Sequence, residues 1–171
     1  MGKRKKSKSS LNLFNLAAII LGVVALCMIA VASLTVKGSV FGLSGETNYS
    51  GLKAVFGYKD GDTTYLLFSF LNLLPYLFVL ASVVILAMQM FGKANSSIMS
   101  FVVFGLFVAS GVLFLFAPAF TNFSEGYQNA IDLANTLTKV VTKELGIGAI
   151  ISACASFAAG LCVLLPKFIK K

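Results

Sequence analysis

The chain contains no histidine and no tryptophan, three cysteines, three prolines and only six acidic residues among 171. Each shortage removes a class of function. Without histidine there is no side chain that titrates near neutrality in its unperturbed state, and the usual companion of cysteine at zinc sites is gone. Cys27, Cys154 and Cys162 all fall inside apolar runs, and no Cys-x-x-Cys spacing occurs. Neither a metal site nor a disulfide framework outside a membrane can be built from them, and they read as small apolar residues. No Ser/Cys/Asp constellation or cofactor fingerprint is present, so the expectation is a protein that is not an enzyme and uses no cofactor or metal.

Charge is scarce as well. Charged residues make up 12% of the chain and hydrophobic ones 58%, whereas a soluble protein is roughly 25% charged. A surface that keeps a monomer in water cannot be assembled from so few charges, which points to an integral membrane protein. Four runs reach the roughly 20 apolar residues that a helix needs to cross a ~30 Å hydrocarbon core. They cover residues 13–36, 65–91, 98–117 and 147–165. Pro118 and Pro166 follow the third and fourth runs, where a residue lacking an N–H is expected to stop a helix.

The few charges are segregated. The N-terminal segment 1–12, the turn 92–97 and the tail 166–171 hold nine of the fourteen basic residues and no acid. The connections 37–64 and 118–146 hold all six acids against five lysines. Since cytoplasmic flanks collect Lys and Arg, both termini and the 92–97 turn are expected in the cytoplasm, with the two long connections outside the plasma membrane. The +8 net charge then reports orientation, and nucleic acid, which would not sort charge by loop parity, is not an expected partner. Lys3, Arg4, Lys5, Lys6 and Lys8 suit contact with anionic headgroups, at about 1 kcal/mol each near the surface. Ala30-Val31-Ala32 has the form of a signal-peptide cleavage site, but the run before it is long and an uncleaved first helix is the better reading. A myristoylation reading of Met1-Gly2 fails at Lys6, where Ser or Thr is needed.

In the first long connection, β-prone stretches at residues 35–41 and 52–58 flank a segment dense in turn formers, which predicts a small external hairpin. Two isolated strands need a support, so it should rest on the helix tops or on a partner. Asp60 and Asp62 flank Gly61 but lack the rest of a calcium loop, and read as a solvated turn. In the second, Asn122-x-x-Glu125 is a capping pattern. Leu133, Leu137, Val140 or Val141 and Leu145 then recur at helical spacing opposite Asp132, Asn135, Lys139, Thr142 and Lys143, which predicts an amphipathic helix before the fourth span. Asn48-Tyr-Ser50, Asn95-Ser-Ser97 and Asn122-Phe-Ser124 match the glycosylation acceptor, a pattern that arises cheaply.

Within the spans no ionisable residue sits centrally, which argues against a proton pump, a carboxylate-coupled transporter or a voltage sensor. The polar residues are milder: Asn72, Ser82, Gln89, Ser110, Ser152 and Ser156. Asn72 and Pro75 together predict a polar kink, with Asn72 free to bond a neighbouring helix. Gly148, Ser152, Ser156 and Gly160 form a small-residue stripe that lets another helix approach closely, and Phe101, Phe104, Phe107, Phe114 and Phe116 of the third span offer the matching bulk.

The expected fold is an all-α four-helix transmembrane bundle with an external hairpin and an external amphipathic helix. The expected role is that of a structural, assembly or accessory subunit, contacting lipid, and a protein partner or a second copy, through the external connections and the fourth span. The alternative is an oligomeric pore for a neutral solute, lined by Asn72, Ser110, Ser152 and Ser156. Four spans with two outer loops resemble claudin-like and tetraspanin-like proteins in outline, but the external cysteines and tryptophan motif of those families are absent, so nothing is carried over from them.

Overall fold

The computed structural model describes residues 3–40, 43–91, 97–138 and 141–169, with 3–12, 39–40, 43–44, 97, 137–138 and 167–169 described by their backbone alone. Four helices are long and apolar enough to cross a membrane, with candidate spans at Leu13–Ala30, Phe70–Met90, Ile98–Leu115 and Ile147–Pro166. They belong to α1 (Lys3–Cys27), α3 (Phe70–Met90), α4 (Ser97–Leu115) and α7 (Ile147–Ile169). Packing runs around a ring, α1 to α3 to α4 to α7 and back to α1. The core of this bundle is Val79, Leu86, Val103, Phe107 and Phe114, with Ala18, Ala25, Ala153 and Ala159 letting the backbones close in. Such small residues let helix backbones approach closely enough for extensive van der Waals contact. Gly22 sits against Val83, and Gly111 against the ring of Phe157.

The other elements gather at one end of the bundle as a cap. They are β1 (Ala32–Val40), β2 (Leu43–Ser50), α2 (Gly51–Phe56), β3 (Tyr58–Asp60), β4 (Thr63–Leu66), α5 (Ala117–Phe120), α6 (Glu125–Thr138) and β5 (Val141–Leu145). One antiparallel sheet has the order β2-β1-β5, and β3 with β4 makes a second, two-stranded one. β1 is therefore central: Leu34 and Val36 pack with Tyr49 and Leu66 into a small cap core, while Ser33 and Thr35 are buried on the opposite face.

Several expectations need correction. Residues 52–58 do not form the second strand of the hairpin. Ser50 caps a helix over Gly51–Phe56 by accepting from the Lys53 N–H, and Gly57, at φ +88°, ends it in a conformation that favours glycine. The strand paired with β1 is the turn-rich segment itself, in a register that sets Thr35 opposite Asn48, where their side chains bond at 2.7 Å. The amphipathic helix stops at Thr138, and Val141–Leu145 is a strand on β1, with Leu34 opposite Leu145 and Val36 opposite Lys143. Positions 141 and 145 are four apart, a spacing that shares one face in a strand as well as in a helix. Lys139 and Val140, as well as Asn95 and Lys93 of the short turn, lie outside the described residues.

The first helix ends at Cys27, followed by a 3-10 turn over Met28–Ala30, so the rest of the 13–36 run belongs to β1. Residues 65 and 66 finish β4, and α3 starts at Phe70. Pro118 stands in the first turn of α5, after α4 has ended. Pro166, by contrast, lies inside α7, which continues to Ile169; the lost N–H falls in the last turn, where it removes one bond without breaking a long helix. Asp60 ends β3 and Asp62 lies in the two-residue turn of the β3–β4 hairpin.

Candidate functional site: a polar hub beneath the cap

Asn72, the sharpest polar residue of the sequence, lies at the centre of a hydrogen-bonded hub joining bundle to cap. Its Nδ2 donates to the Ala54 carbonyl of α2 at 3.3 Å and to Thr121 Oγ1, just past α5, at 3.0 Å. Thr121 donates onward to the Ala117 carbonyl at 2.8 Å. Ser69 caps α3 by accepting from the Asn72 N–H, and its own hydroxyl donates to the Phe120 carbonyl at 2.6 Å. Asn122 Nδ2 donates to the Phe68 carbonyl at 3.1 Å. Backbone bonds complete the stitching: Leu67 N–H to the Asn122 carbonyl and Ser69 N–H to that of Val55, both at 2.8 Å, and Ser124 N–H to that of Tyr65 at 3.0 Å. The Ser124 hydroxyl also donates to the Thr64 carbonyl. Ser69, Asn72 and Thr121 are all buried. These groups hold three sequence-distant pieces, α2, residues 66–70 and 117–124, side by side.

Beside the hub is a cavity of about one water molecule, walled by Ser33, Gly51, Asn72, Pro75, Tyr76 and Phe114 among others. Pro75 is thus a cavity wall within α3. Tyr76 stacks edge-on against Phe114, and its hydroxyl stands 3.5 Å from Ser33 Oγ. Gly51 is forced by this crowding: a Cβ there would stand 2.5 Å from the Tyr76 hydroxyl and 2.9 Å from the Ile29 carbonyl.

The α7 stripe divides between two neighbours. A Cβ on Gly148 would lie about 3 Å from the carbonyls of Met28, Val31 and Ala32, and Ser152 donates to the Ala25 carbonyl of α1 at 3.1 Å. Gly160 faces Phe104 and Phe107 of α4. Ser156 is fully buried, and its hydroxyl has no hydrogen-bond partner among the described residues. Of the third-span phenylalanines, Phe107 and Phe114 are in the core, Phe104 meets Gly160, and Phe101 and Phe116 are exposed. Lys3, Arg4, Lys5, Lys6 and Lys8 belong to the first turns of α1, and their side chains lie outside the described residues.

A further cluster went unread in the sequence. Four of the five tyrosines, Tyr49, Tyr58, Tyr65 and Tyr127, join Phe123 in a chain of ring contacts 5.2–6.0 Å between centroids. Lys53 lies 3.8 Å over Tyr58 and Lys143 4.1 Å over Phe123. The signal in the sequence is their position: Tyr49, Tyr58 and Tyr127 fall in the two long connections, and Tyr65 is the first residue of the second apolar run. Burial pushes the Tyr49 hydroxyl well above the ordinary tyrosine range, and its contact with the Tyr127 hydroxyl adds to the shift. On the surface Lys37 bonds Glu144 across β1 and β5 at 2.7 Å, which raises the lysine.

At the hub, amides and hydroxyls bond one another beside a cavity of about one water molecule. Compared with known protein families, curated proteins and solved structures, the chain matches none.

Proposed function

We propose that the chain is a multi-pass plasma-membrane protein, both termini cytoplasmic and the cap outside, serving as a structural, assembly or accessory subunit that presents the cap to a protein partner. One observation carries the reading: β1 of the first long connection is sandwiched between β2 and β5, and β5 comes from the second. Two connections that fold into one sheet, stapled to the bundle by the Asn72 hub, make a fixed platform, and a preorganised surface loses little entropy on binding. The charge asymmetry supports the orientation, because α1 and α7 enter and leave the cap at one end while the basic segments flank the other. The basic start of α1 then lies at the inner headgroups, where it anchors the helix by unspecific attraction.

No observation favours the pore reading. Ser110 and Ser152 bond inward to carbonyls of the same protomer, Ser156 is fully buried, and Asn72 is committed to the hub, so none is free to line a path between copies. Half of the α7 span is already buried, against a third or less of the others. A photo-crosslinking residue placed at exposed Glu46 or Leu133, in native membranes, tests the subunit reading. A discrete adduct of defined mass is expected from at least one site; monomer alone at both would refute it.

A further inference from the structure

The side of the hub that faces away from the bundle axis carries a band of exposed apolar side chains. On α2, Leu52 and Phe56 point outward at i and i+4 while Ala54 and Val55 are buried, and the Lys53 amine turns up onto Tyr58. Phe56 touches Phe68 at 6.5 Å between ring centroids, and Phe116 touches Phe120 at 6.2 Å. Phe56, Phe68, Phe70 and Phe116 are 61%, 52%, 57% and 54% exposed. In water such a band is a liability.

Two independent features say what covers it. The first is level. The 21 residues of α3 rise about 31 Å at 1.5 Å each, and a hydrocarbon core is ~30 Å thick. With Met90 at one boundary, Phe70 lies at the other, and α4, ending at Leu115, delivers Phe116 to the same height. The second is hydrogen bonding. Residues 67–69 and 121–122 are neither helix nor named strand, yet the Leu67 and Ser69 N–H groups and the Ala54, Phe68 and Phe120 carbonyls all find protein partners, the Ala54 and Phe120 carbonyls through the buried side chains of Asn72 and Ser69 and the Phe68 carbonyl through the exposed Asn122. A loop bathed in water has no need of such provision. Irregular backbone at the edge of hydrocarbon does, since each unsatisfied group there costs several kcal/mol.

We infer that α2, residues 67–70 and α5 form a lipid-facing ledge seated at the hydrocarbon edge of the outer leaflet, with the Asn72 hub as the internal brace that makes irregular backbone tolerable at that depth. Its occupant is the upper acyl-chain region of the bilayer: the projecting side chains are phenylalanines, which carry no polar tip for the headgroups as tryptophan or tyrosine would. The ledge fixes the height of the cap above the membrane. This rests on the membrane reading above.

Because the chain has no tryptophan, a single introduced one reports alone. The full-length variants Phe56→Trp and Phe116→Trp sample the two ends of the ledge, Val84→Trp the exposed middle of α3, and Leu133→Trp the outer face of α6. Each is reconstituted in phosphatidylcholine vesicles containing lipid brominated either near the headgroup or deep in the acyl chain, and titrated separately with aqueous acrylamide. Both ledge tryptophans should emit at shorter wavelength than that at 133, resist acrylamide, and be quenched more by shallow than by deep bromines. Position 84 should show the reverse bromine preference, and position 133 should respond to acrylamide alone. Ledge tryptophans that behave like position 133 overturn the ledge while leaving the membrane reading intact. Protection from acrylamide and from both bromines would assign the band to a second copy and also overturn it. Failure of bromine quenching at position 84 would remove the membrane reading itself, and the ledge with it.

Discussion

Replacing Asn72 by leucine, of similar bulk, removes both Nδ2 bonds without opening a large cavity. Thr121 keeps its bond to the Ala117 carbonyl, so its hydroxyl loses one contact and remains satisfied. The buried Ala54 carbonyl loses its side-chain donor. An orphaned buried acceptor costs about 1–3 kcal/mol, so about 2 kcal/mol is the expected loss in holding α2 to the bundle. That is roughly thirtyfold in the equilibrium for local opening. Amide hydrogen exchange in a reconstituted bilayer reads it directly, because the Ser69 N–H bonds to Val55 across the same joint. Exchange at Ser69 and through α2 should quicken by about that factor. Amides in the middle of α3 and α7 should keep their rates. Unchanged exchange at Ser69 would show that the hub contributes nothing, and an equal acceleration in every helix would show that Asn72 stabilises the bundle rather than the joint.

Three other perturbations test separate parts of the structure. Gly51→Ala places a methyl against the Tyr76 hydroxyl and the Ile29 carbonyl, and overpacking of this kind costs about 1–3 kcal/mol. Adding Tyr76→Phe should restore part but not all of the loss in thermal stability, since the carbonyl contact stays. Tyr49 holds its proton more tightly folded than unfolded, so its contribution is complete below about pH 10, the ordinary tyrosine value, and declines as rising pH ionises only the unfolded chain. Cap exchange protection should fall on that alkaline limb, and Tyr49→Phe should make the fall shallower. With the three cysteines replaced by alanine, a membrane-impermeant maleimide on intact cells should label Asp132→Cys, and should label Lys8→Cys only after permeabilisation. The opposite pattern would invert the topology.

The four long helices were legible because their signal is one of composition over about 20 residues, which neighbours barely alter. The cap was legible only in part, and its misreadings have definite causes. Val141 and Leu145 satisfy both periods, and the choice between them is made by β1, more than a hundred residues earlier in the chain. Residues 43–50 look like a turn because Gly, Ser and Asn favour turns over isolated strands. An edge position against an already buried β1 overrides that preference, as context routinely does in sheets. The residues after them look like a strand, but Ser50 supplies a cap and the crowding at Gly51 turns the chain away.

The hub shows a different limit. A polar residue in an apolar run announces that it needs a partner, and Asn72 could be singled out on that ground alone. Its partners are 18 and 49 residues away, and one is a backbone carbonyl, which no side-chain pattern encodes. The need for the hub becomes visible only when the helix lengths are laid against the bilayer. On the proposed ledge reading, with α4 ending at Leu115 about 26 Å above Ile98, the turn at Phe116 and the start of α5 fall where water is becoming scarce. A chain that must cross from α4 to the cap, and from the cap back into α3, within that layer has to satisfy its carbonyls internally or not fold there. Ser69, Asn72, Thr121 and Asn122 do so without any charge. The proposed ledge thus accounts for the polar side chains clustered beside a band of phenylalanine.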